Sequence, residues 1–299
     1  MASSSNLSTF ASHGWVHVRN FLSPSELELL QHESYACYNS VPDANEAAAA
    51  VAAQGCVIDI MASSPIRDDD PARIDAKFYL KARAKQVEKS VGCQPFDDQK
   101  VFSELMFERL PTLVGQLLAT ESNSTEAVGV MFFNEHYVVK PPRSHVEFRW
   151  HRDEDEQLAM CLHRETILPY VSAWCALDDV TSENGALQFV SLAASGARNG
   201  DADFDQHATE PILANAGDVL LFLSNVWHCS SSNESSYPRR AFYAQYSREK
   251  ITAGPKDPSP LSFAIPCRPV FSTSSGGNNR GTKKLRSNAL DQGSSDTKV

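Results

Sequence analysis

The rhythm of hydrophobic and polar positions changes near residue 127 of this chain. Before that point it is helical. Ser23-Pro24-Ser25-Glu26 combines a capping serine, a proline at the first helical position and a glutamate three residues after the cap. Leu27, Leu29 and Leu30 then begin a helix running to about Tyr38. Ahead of it, Gly14-Trp15-Val16-His17-Val18 alternates like a short strand. A second helix is expected from about Ile74 to Lys89 and a third from about Ser103 to Leu118, disturbed at Pro111. After residue 127 the apolar runs shorten and fill with β-branched and aromatic residues. Strands are expected at 128–133, 137–140, 147–153, 170–177, 187–191, 219–223 and 241–247, separated by turn sequences such as Glu183-Asn184-Gly185 and Asn215-Ala216-Gly217-Asp218. Helices first and many short strands later predict an antiparallel barrel or sandwich buttressed by helices.

Two stretches break this order. Residues 39–72 mix alanines, prolines and the acidic run Asp68 to Asp70, and residues 272–299 are so poor in apolar side chains that a disordered tail is expected. The remaining 1–271 then form one domain, with a helical part to about 126 and a strand-rich core over about 127–250.

Composition narrows the function. The 299 residues are 42% hydrophobic and 21% charged, which suits a globular chain. A net charge of −10 disfavours a broad nucleic-acid footprint. Basic side chains recur every fourth position at Arg73, Lys77, Lys81, Lys85 and Lys89, and a solvated helix face is expected there, with an anion-binding ridge as the alternative. The longest small-apolar run, Ala47 to Ala53, is far shorter than the ~20 residues of a membrane span. Seven scattered cysteines without a Cys-x-x-Cys pair argue against a disulfide framework and for a reducing compartment. With no secretory or peroxisomal address visible, a cytoplasmic location is expected, and the Asn-x-Ser/Thr matches at Asn6, Asn123 and Asn233 read as chance.

The most informative chemistry lies in Trp150-His151-Arg152-Asp153. Residues two apart on a strand share a face, so His151 and Asp153 can grip one metal ion, with His228 as the best third ligand. Two histidines and one carboxylate leave three octahedral positions open, which suits Fe(II) binding a cosubstrate and oxygen. His145-Val146-Glu147 is a competing His-x-carboxylate pair in phase with His151. Neither a Ser-His-Asp nor a Cys-His set stands out.

Ordered blocks then resemble the phytanoyl-CoA dioxygenase family of Fe(II)- and 2-oxoglutarate-dependent oxygenases. They are the opening Gly14 to Ser23, Lys140-Pro141-Pro142 with Trp150 to Asp153, Tyr170 to Asp179 with Glu183 to Leu187, and Gly217 to Phe222 with His228-Cys229-Ser230, Asn233 and Pro238-Arg239-Arg240. The resemblance implies a double-stranded β-helix, a jelly-roll barrel of the cupin kind. It selects His151 and Asp153 over His145 and Glu147, and it makes His228 the third metal ligand. It places Arg239, eleven residues after His228, on the distal carboxylate of 2-oxoglutarate, with Ser230 as a hydroxyl donor to the same carboxylate. Arg240 must face the opposite way along the strand. Trp174 and Lys140 fall where the family lines the cosubstrate pocket. The implied activity is a dioxygenase that uses Fe(II), 2-oxoglutarate and O2, is supported by ascorbate in vitro, and hydroxylates or desaturates a small molecule with release of succinate and CO2. Aspartate at 153 fills the position that relatives which halogenate leave vacant, so halogenation is not expected. No protein partner is indicated.

The chain departs from the family pattern at Val190-Ser191-Leu192-Ala193-Ala194-Ser195-Gly196, where relatives carry Pro-Gly-Ser-His. The acidic run Arg152-Asp153-Glu154-Asp155-Glu156 also disfavours an anionic coenzyme A thioester at the rim. The alternatives to an oxygenase are a non-enzymatic jelly-roll binding protein, which would not need the triad and Arg239 together, and a zinc hydrolase, which would gain nothing from Arg239. Specificity is expected in 39–72, 154–169 and 192–213.

Overall fold

A computed structural model of the chain describes residues 2–39, 57–61, 64, 66, 70, 74–91, 99–122, 129–194 and 204–268. The expected tail lies outside the described residues, as does most of the 39–72 stretch.

The N-terminal elements follow their caps. Helix α1 (Ser4–His13) was not evident from its serine-rich sequence. Ser3 caps it by accepting from the Asn6 N–H, Phe10 anchors it in the core, and Gly14 ends it with φ +77°. A side chain at Gly14 would also meet Leu192 and Val226 at 2.7 Å. Strand β1 (Trp15–Val18) leads to α2 (Pro24–Asn39). There Glu26 reaches back to the Ser23 N–H at 2.7 Å while its own N–H donates to Ser23 Oγ at 3.3 Å, the reciprocal cap that the sequence predicts. Helix α3 (Ala76–Val91) exposes Lys77, Lys81 and Lys85 and buries Arg83.

The third expected helix is composite. Helix α4 (Gln99–Glu104) passes into a π-helical turn (Leu105–Arg109) and then α5 (Leu110–Ser122). Pro111 cannot donate to Phe107, four residues before it. The Phe107 carbonyl instead accepts the Arg268 N–H at 2.9 Å, and the Met106 carbonyl accepts the Tyr246 hydroxyl at 3.0 Å. The proline disturbance thus docks the helix onto the strands.

The strands form two facing antiparallel sheets. The larger has the order β1-β7-β5-β9-β3-β12, with β2 (Val57–Ile58) also paired to β3. Its long members are β3 (Met131–Lys140), β5 (Val171–Ala176), β7 (Val219–Leu223) and β9 (Arg239–Ser247), with β12 (Ile265–Pro266) at the edge. The smaller has the order β4-β8-β6, made of β4 (Phe148–His151), β6 (Leu187–Val190) and β8 (Trp227–Ser230). A hairpin of β10 (Thr252–Gly254) and β11 (Asp257–Pro260) stands apart. Phe189 and Phe222 meet across the sheets with centroids 5.2 Å apart, and Phe189 stacks on Trp15 at 5.0 Å. This is the jelly-roll architecture expected from the sequence. No helix among the described residues is long and apolar enough to cross a membrane.

One expectation fails instructively. Two strands were expected across 128–140, but β3 is continuous, bulged between Phe132 and Asn134. Asn134-Glu135-His136 reads as a turn because it is polar. In the fold Asn134 donates to Gln245 at 2.9 Å, and Glu135 Oε1 accepts from Arg83 at 2.6 Å and Tyr79 at 2.7 Å. Arg83 also grips both Glu33 oxygens, at 3.0 and 2.8 Å, so one buried ionic cluster rivets α2 and α3 to β3.

Candidate metal centre

The smaller sheet sets the first two ligands. The β4–β8 register puts His151 directly opposite His228, with ring centroids 4.1 Å apart. Each ring is fixed by its own strand: His151 Nδ1 lies 2.7 Å from the Arg149 carbonyl and His228 Nδ1 lies 3.0 Å from that of Val226. A proton on Nδ1 leaves the Nε2 lone pair for a metal. Burial, reinforced by the neighbouring His151, pushes His228 down to about 4, so its ring is neutral near pH 7 as a ligand must be.

Asp153 arrives differently from the strand reading. Strand β4 stops at His151, Arg152 is still extended, and Asp153 opens a short helix, α6 (Asp153–Gln157). Four successive acids in that first turn favour helix over strand because they face the positive end of the helix dipole. The extended Arg152 preserves the expected same-side relation of His151 and Asp153. Asp153 is 8% exposed, and its Oδ2 accepts from the Ser172 and Tyr243 hydroxyls and from Gln245 Nε2 at 3.3 Å. Its Oδ1 faces His228 Nε2 at 3.5 Å. One ligand atom from each of His151, Asp153 and His228 lies within 4.8 Å of the others. Two imidazole nitrogens and one carboxylate oxygen, with the second oxygen already held, fit a divalent iron with open positions. The competing pair is elsewhere: His145 is exposed, and Glu147 pairs with Arg149 at 3.4 Å.

The three residues line a cavity of about 340 Å³. At one end Arg239 is 1% exposed, donates to the Gly185 carbonyl at 2.9 Å and lies 5.2 Å from the Trp174 ring centroid. Ser230 and Trp174 line the same cavity. Lys140 does not. It is directly opposite Arg239 on β3, and its Nζ passes behind Ser230, donating to Ser230 Oγ at 2.8 Å and to the Ser231 carbonyl. Two buried cations side by side make this end positive. Arg240 points away, as strand alternation requires, and clasps Asp178 through two hydrogen bonds of 2.9 and 2.6 Å. The turn after it is structural: Asn184 completes a capping box with Thr181, and Gly185, at φ +87°, leaves no room for a side chain beside the Ser231 carbonyl.

The sequence profile of the phytanoyl-CoA dioxygenase (PhyH) family matches residues 10–241. This chain belongs to that family. No curated protein sequence matches it. Among solved structures, it resembles the non-heme alpha ketoglutarate dependent epimerase SnoN from nogalamycin biosynthesis at 16% identity and a TM-score of 0.54, covering 88% of this chain and 98% of that one. EctD from S. alaskensis, solved with 2-oxoglutarate and 5-hydroxyectoine, aligns at 18% identity and a TM-score of 0.52, over 88% of this chain and 83% of its own. The carbocyclase SnoK, also from nogalamycin biosynthesis, aligns at 16% identity and 0.51, covering 88% and 96% respectively. At these identities the likeness concerns the fold. As a PhyH family member with this triad, the chain has iron and 2-oxoglutarate as its cofactor and cosubstrate.

Some residues of this PhyH site escaped the sequence reading. Ser172, Tyr243 and Gln245 hold Asp153, and His136 stacks on Tyr243 with centroids 4.7 Å apart. Arg239, Ala241, Tyr243 and Gln245 share one face of β9 by alternation. Polar side chains at three of these four alternating positions, Arg239, Tyr243 and Gln245, were the available signal.

Proposed function

We propose that this PhyH protein is an Fe(II)- and 2-oxoglutarate-dependent dioxygenase that hydroxylates a small molecule, releasing succinate and CO2. The supporting observation is the pairing, in one cavity, of the His151–Asp153–His228 set with the buried Arg239 guanidinium.

When bound, the iron would activate O2, the oxidant, with 2-oxoglutarate supplying two of the four electrons as it becomes succinate and CO2 and the substrate C–H bond supplying the other two. The chain supplies geometry. His151 and His228 present Nε2 because their Nδ1 atoms are tied to backbone carbonyls. Ser172, Tyr243 and Gln245 keep Asp153 Oδ2 occupied, so Oδ1 is the ligating oxygen. Arg239 suits the far carboxylate of 2-oxoglutarate, since a planar guanidinium grips a carboxylate through parallel hydrogen bonds. Ser230 Oγ accepts from Lys140 and therefore turns its own O–H toward the cavity, to the same carboxylate. Trp174 backs the guanidinium, and Phe148, Leu187 and Phe222 keep that end dry.

The carboxylate at 153 supports hydroxylation first and desaturation second. Epimerase and carbocyclase names among the fold neighbours show that the scaffold hosts other outcomes. Succinate release measured with Fe(II), ascorbate and 2-oxoglutarate, across a panel of small metabolites, tests the reading. Substrate-stimulated succinate with one oxygen atom from labelled O2 in the product is expected. Zinc-dependent ester hydrolysis without succinate would refute it.

A further inference from the structure

Away from the Arg239 end, the polar side chains that line the iron-centred cavity fall into two groups. Asn134, Tyr243, Gln245 and Ser262 donate within the protein: Asn134 to Gln245, Tyr243 and Gln245 to Asp153, and Ser262 Oγ to the Phe133 carbonyl at 3.0 Å. Asp59 accepts from the Met61 N–H at 2.8 Å. His136 and Gln157 differ. Both line the cavity, both are half-buried, and neither makes a hydrogen bond among the described residues. Glu156 also lines this end but stands exposed at the rim.

The fold sets these two side chains near the metal. The β3–β9 register pairs His136 with Tyr243, the residue that holds Asp153, and pairs Lys140 with Arg239. Four residues of strand separate His136 from that cationic pair, roughly 13 Å at the usual rise per residue. The imidazole therefore stands at the level of the metal ligands and not at the carboxylate clamp. One face of the ring stacks on Tyr243 at 4.7 Å, which leaves its edge nitrogens for a ligand. Burial, only partly opposed by Asp153, pushes His136 down to about 4, so near pH 7 one nitrogen donates and the other accepts. Gln157 lies four residues after Asp153 in α6, on the same face of that helix. Gln157 and Ser262 also line a second cavity, of about 250 Å³, whose other walls are Phe133, Leu158, Met160, Ile251, Leu261 and Phe263. The metal's surroundings thus adjoin an apolar annex, with two unengaged polar side chains at the approach to it.

We propose that His136 and Gln157 determine specificity by hydrogen-bonding a hydroxyl or carbonyl group of the prime substrate, whose apolar part extends past Gln157 and Ser262 into the annex. The substrate role rests on the oxygenase reading; the recognition chemistry does not. A neutral imidazole and a primary amide each offer a donor and an acceptor, which suits either group. A hydrocarbon in the same place would cover both side chains and leave them unpaired, so the pair selects for the oxygenated ligand.

The test is calorimetry on full-length protein loaded with redox-silent Zn(II) and 2-oxoglutarate. Phenylbutanol and butylbenzene share one apolar part and differ by a hydroxyl. His136→Phe keeps a ring to stack on Tyr243, and Gln157→Leu keeps the bulk of the side chain. Each should weaken the alcohol about fivefold and leave butylbenzene as tight or tighter. His136→Gln, which keeps a donor and an acceptor, should retain most of the affinity for the alcohol. Leu261→Trp, at a half-buried wall of the annex, should weaken both probes alike. The proposal is overturned if the alcohol does not bind, if its affinity survives both His136→Phe and Gln157→Leu, or if butylbenzene weakens as much as the alcohol in those variants. Unchanged binding in Leu261→Trp overturns the annex placement. Separately measured 2-oxoglutarate binding keeps the two readings apart. It should be equal in wild type and His136→Phe; a loss confined to the variant would make the imidazole a cosubstrate residue and overturn its substrate role. If the wild-type protein does not bind 2-oxoglutarate while the alcohol responds as expected, the oxygenase reading falls and the hydrogen-bonding subsite stands.

Discussion

Tyr243→Phe removes one oxygen atom from the surroundings of Asp153 and nothing else. The phenyl ring keeps its stack on His136 at 4.7 Å and its edge contact with Phe222 at 6.1 Å. The lost hydroxyl donates to Asp153 Oδ2, an oxygen that also receives Ser172 and Gln245. A hydrogen bond to a charged group contributes about 1.5–3 kcal/mol, and two remaining donors place the expected loss near the lower end. If that energy orients the carboxylate for a metal, Fe(II) affinity should fall about tenfold to thirtyfold. Partners of ligating carboxylates in other metal sites have effects of about 10–100-fold. The assay is anaerobic Fe(II) competition against a chromogenic chelator, with the melting temperature recorded on the same samples. An Fe(II) affinity within about twofold of wild type would refute the reasoning, since Tyr243 would then hold the fold and not the ligand.

Further expectations follow from other parts of the molecule. Arg239→Ala should raise the KM for 2-oxoglutarate by far more than it alters iron affinity, since truncating one partner of a buried charged pair costs about 2–5 kcal/mol; Arg240→Ala, on the outer face, should leave 2-oxoglutarate saturation nearly unchanged. Arg83→Leu should destabilise by about 3–5 kcal/mol in urea titrations because it strands the buried Glu33 and Glu135, and Glu135→Gln in the same chain should recover part of the loss. Burial pushes the Asp218 carboxyl up, but the N–H groups of Asn20 and Asn215 and the His17 ring outweigh it and hold it below the ordinary value. Its contribution is therefore complete above the ordinary aspartate value of about 3.9 and is lost as pH falls through the lower folded one. Asp218→Asn should cost about 1–3 kcal/mol at pH 7 and flatten the acid limb of the stability profile, as read by urea titration at several pH values.

The sequence carried more of the ligand set than of what holds it. Residue type and spacing narrowed the metal-ligand candidates to two His-x-carboxylate pairs with His228 as the best third ligand, and the family pattern chose His151 and Asp153 over His145 and Glu147. Arg239 needed the family pattern, and strand alternation then separated it from Arg240. The β7 strand was read to the residue because Val219 to Leu223 is uniformly apolar and buried on both faces. What stayed hidden depends on partners distant in the chain. Glu135 looks like a turn residue until Arg83, more than fifty positions earlier, neutralises it. Tyr243 and Gln245 look like ordinary strand residues until α6 delivers Asp153 to them. Strand β8 was missed because a four-residue stretch holding a ligand histidine shows no apolar period. Lys140 was placed in the pocket wall, whereas its stem runs behind Ser230, a depth difference that sequence position does not encode.

The most direct measurement is an anaerobic titration of Fe(II) into the protein with and without 2-oxoglutarate, followed by visible absorption. One iron per chain should bind, and the metal-to-ligand charge-transfer band of iron-chelated 2-oxoglutarate should appear only when both are present. His228→Ala should abolish the band, Arg239→Ala should shift its appearance to higher 2-oxoglutarate, and His145→Ala should leave it intact. A band that survives His228→Ala, or its absence from the wild-type protein at saturating iron and 2-oxoglutarate, would contradict the proposed centre.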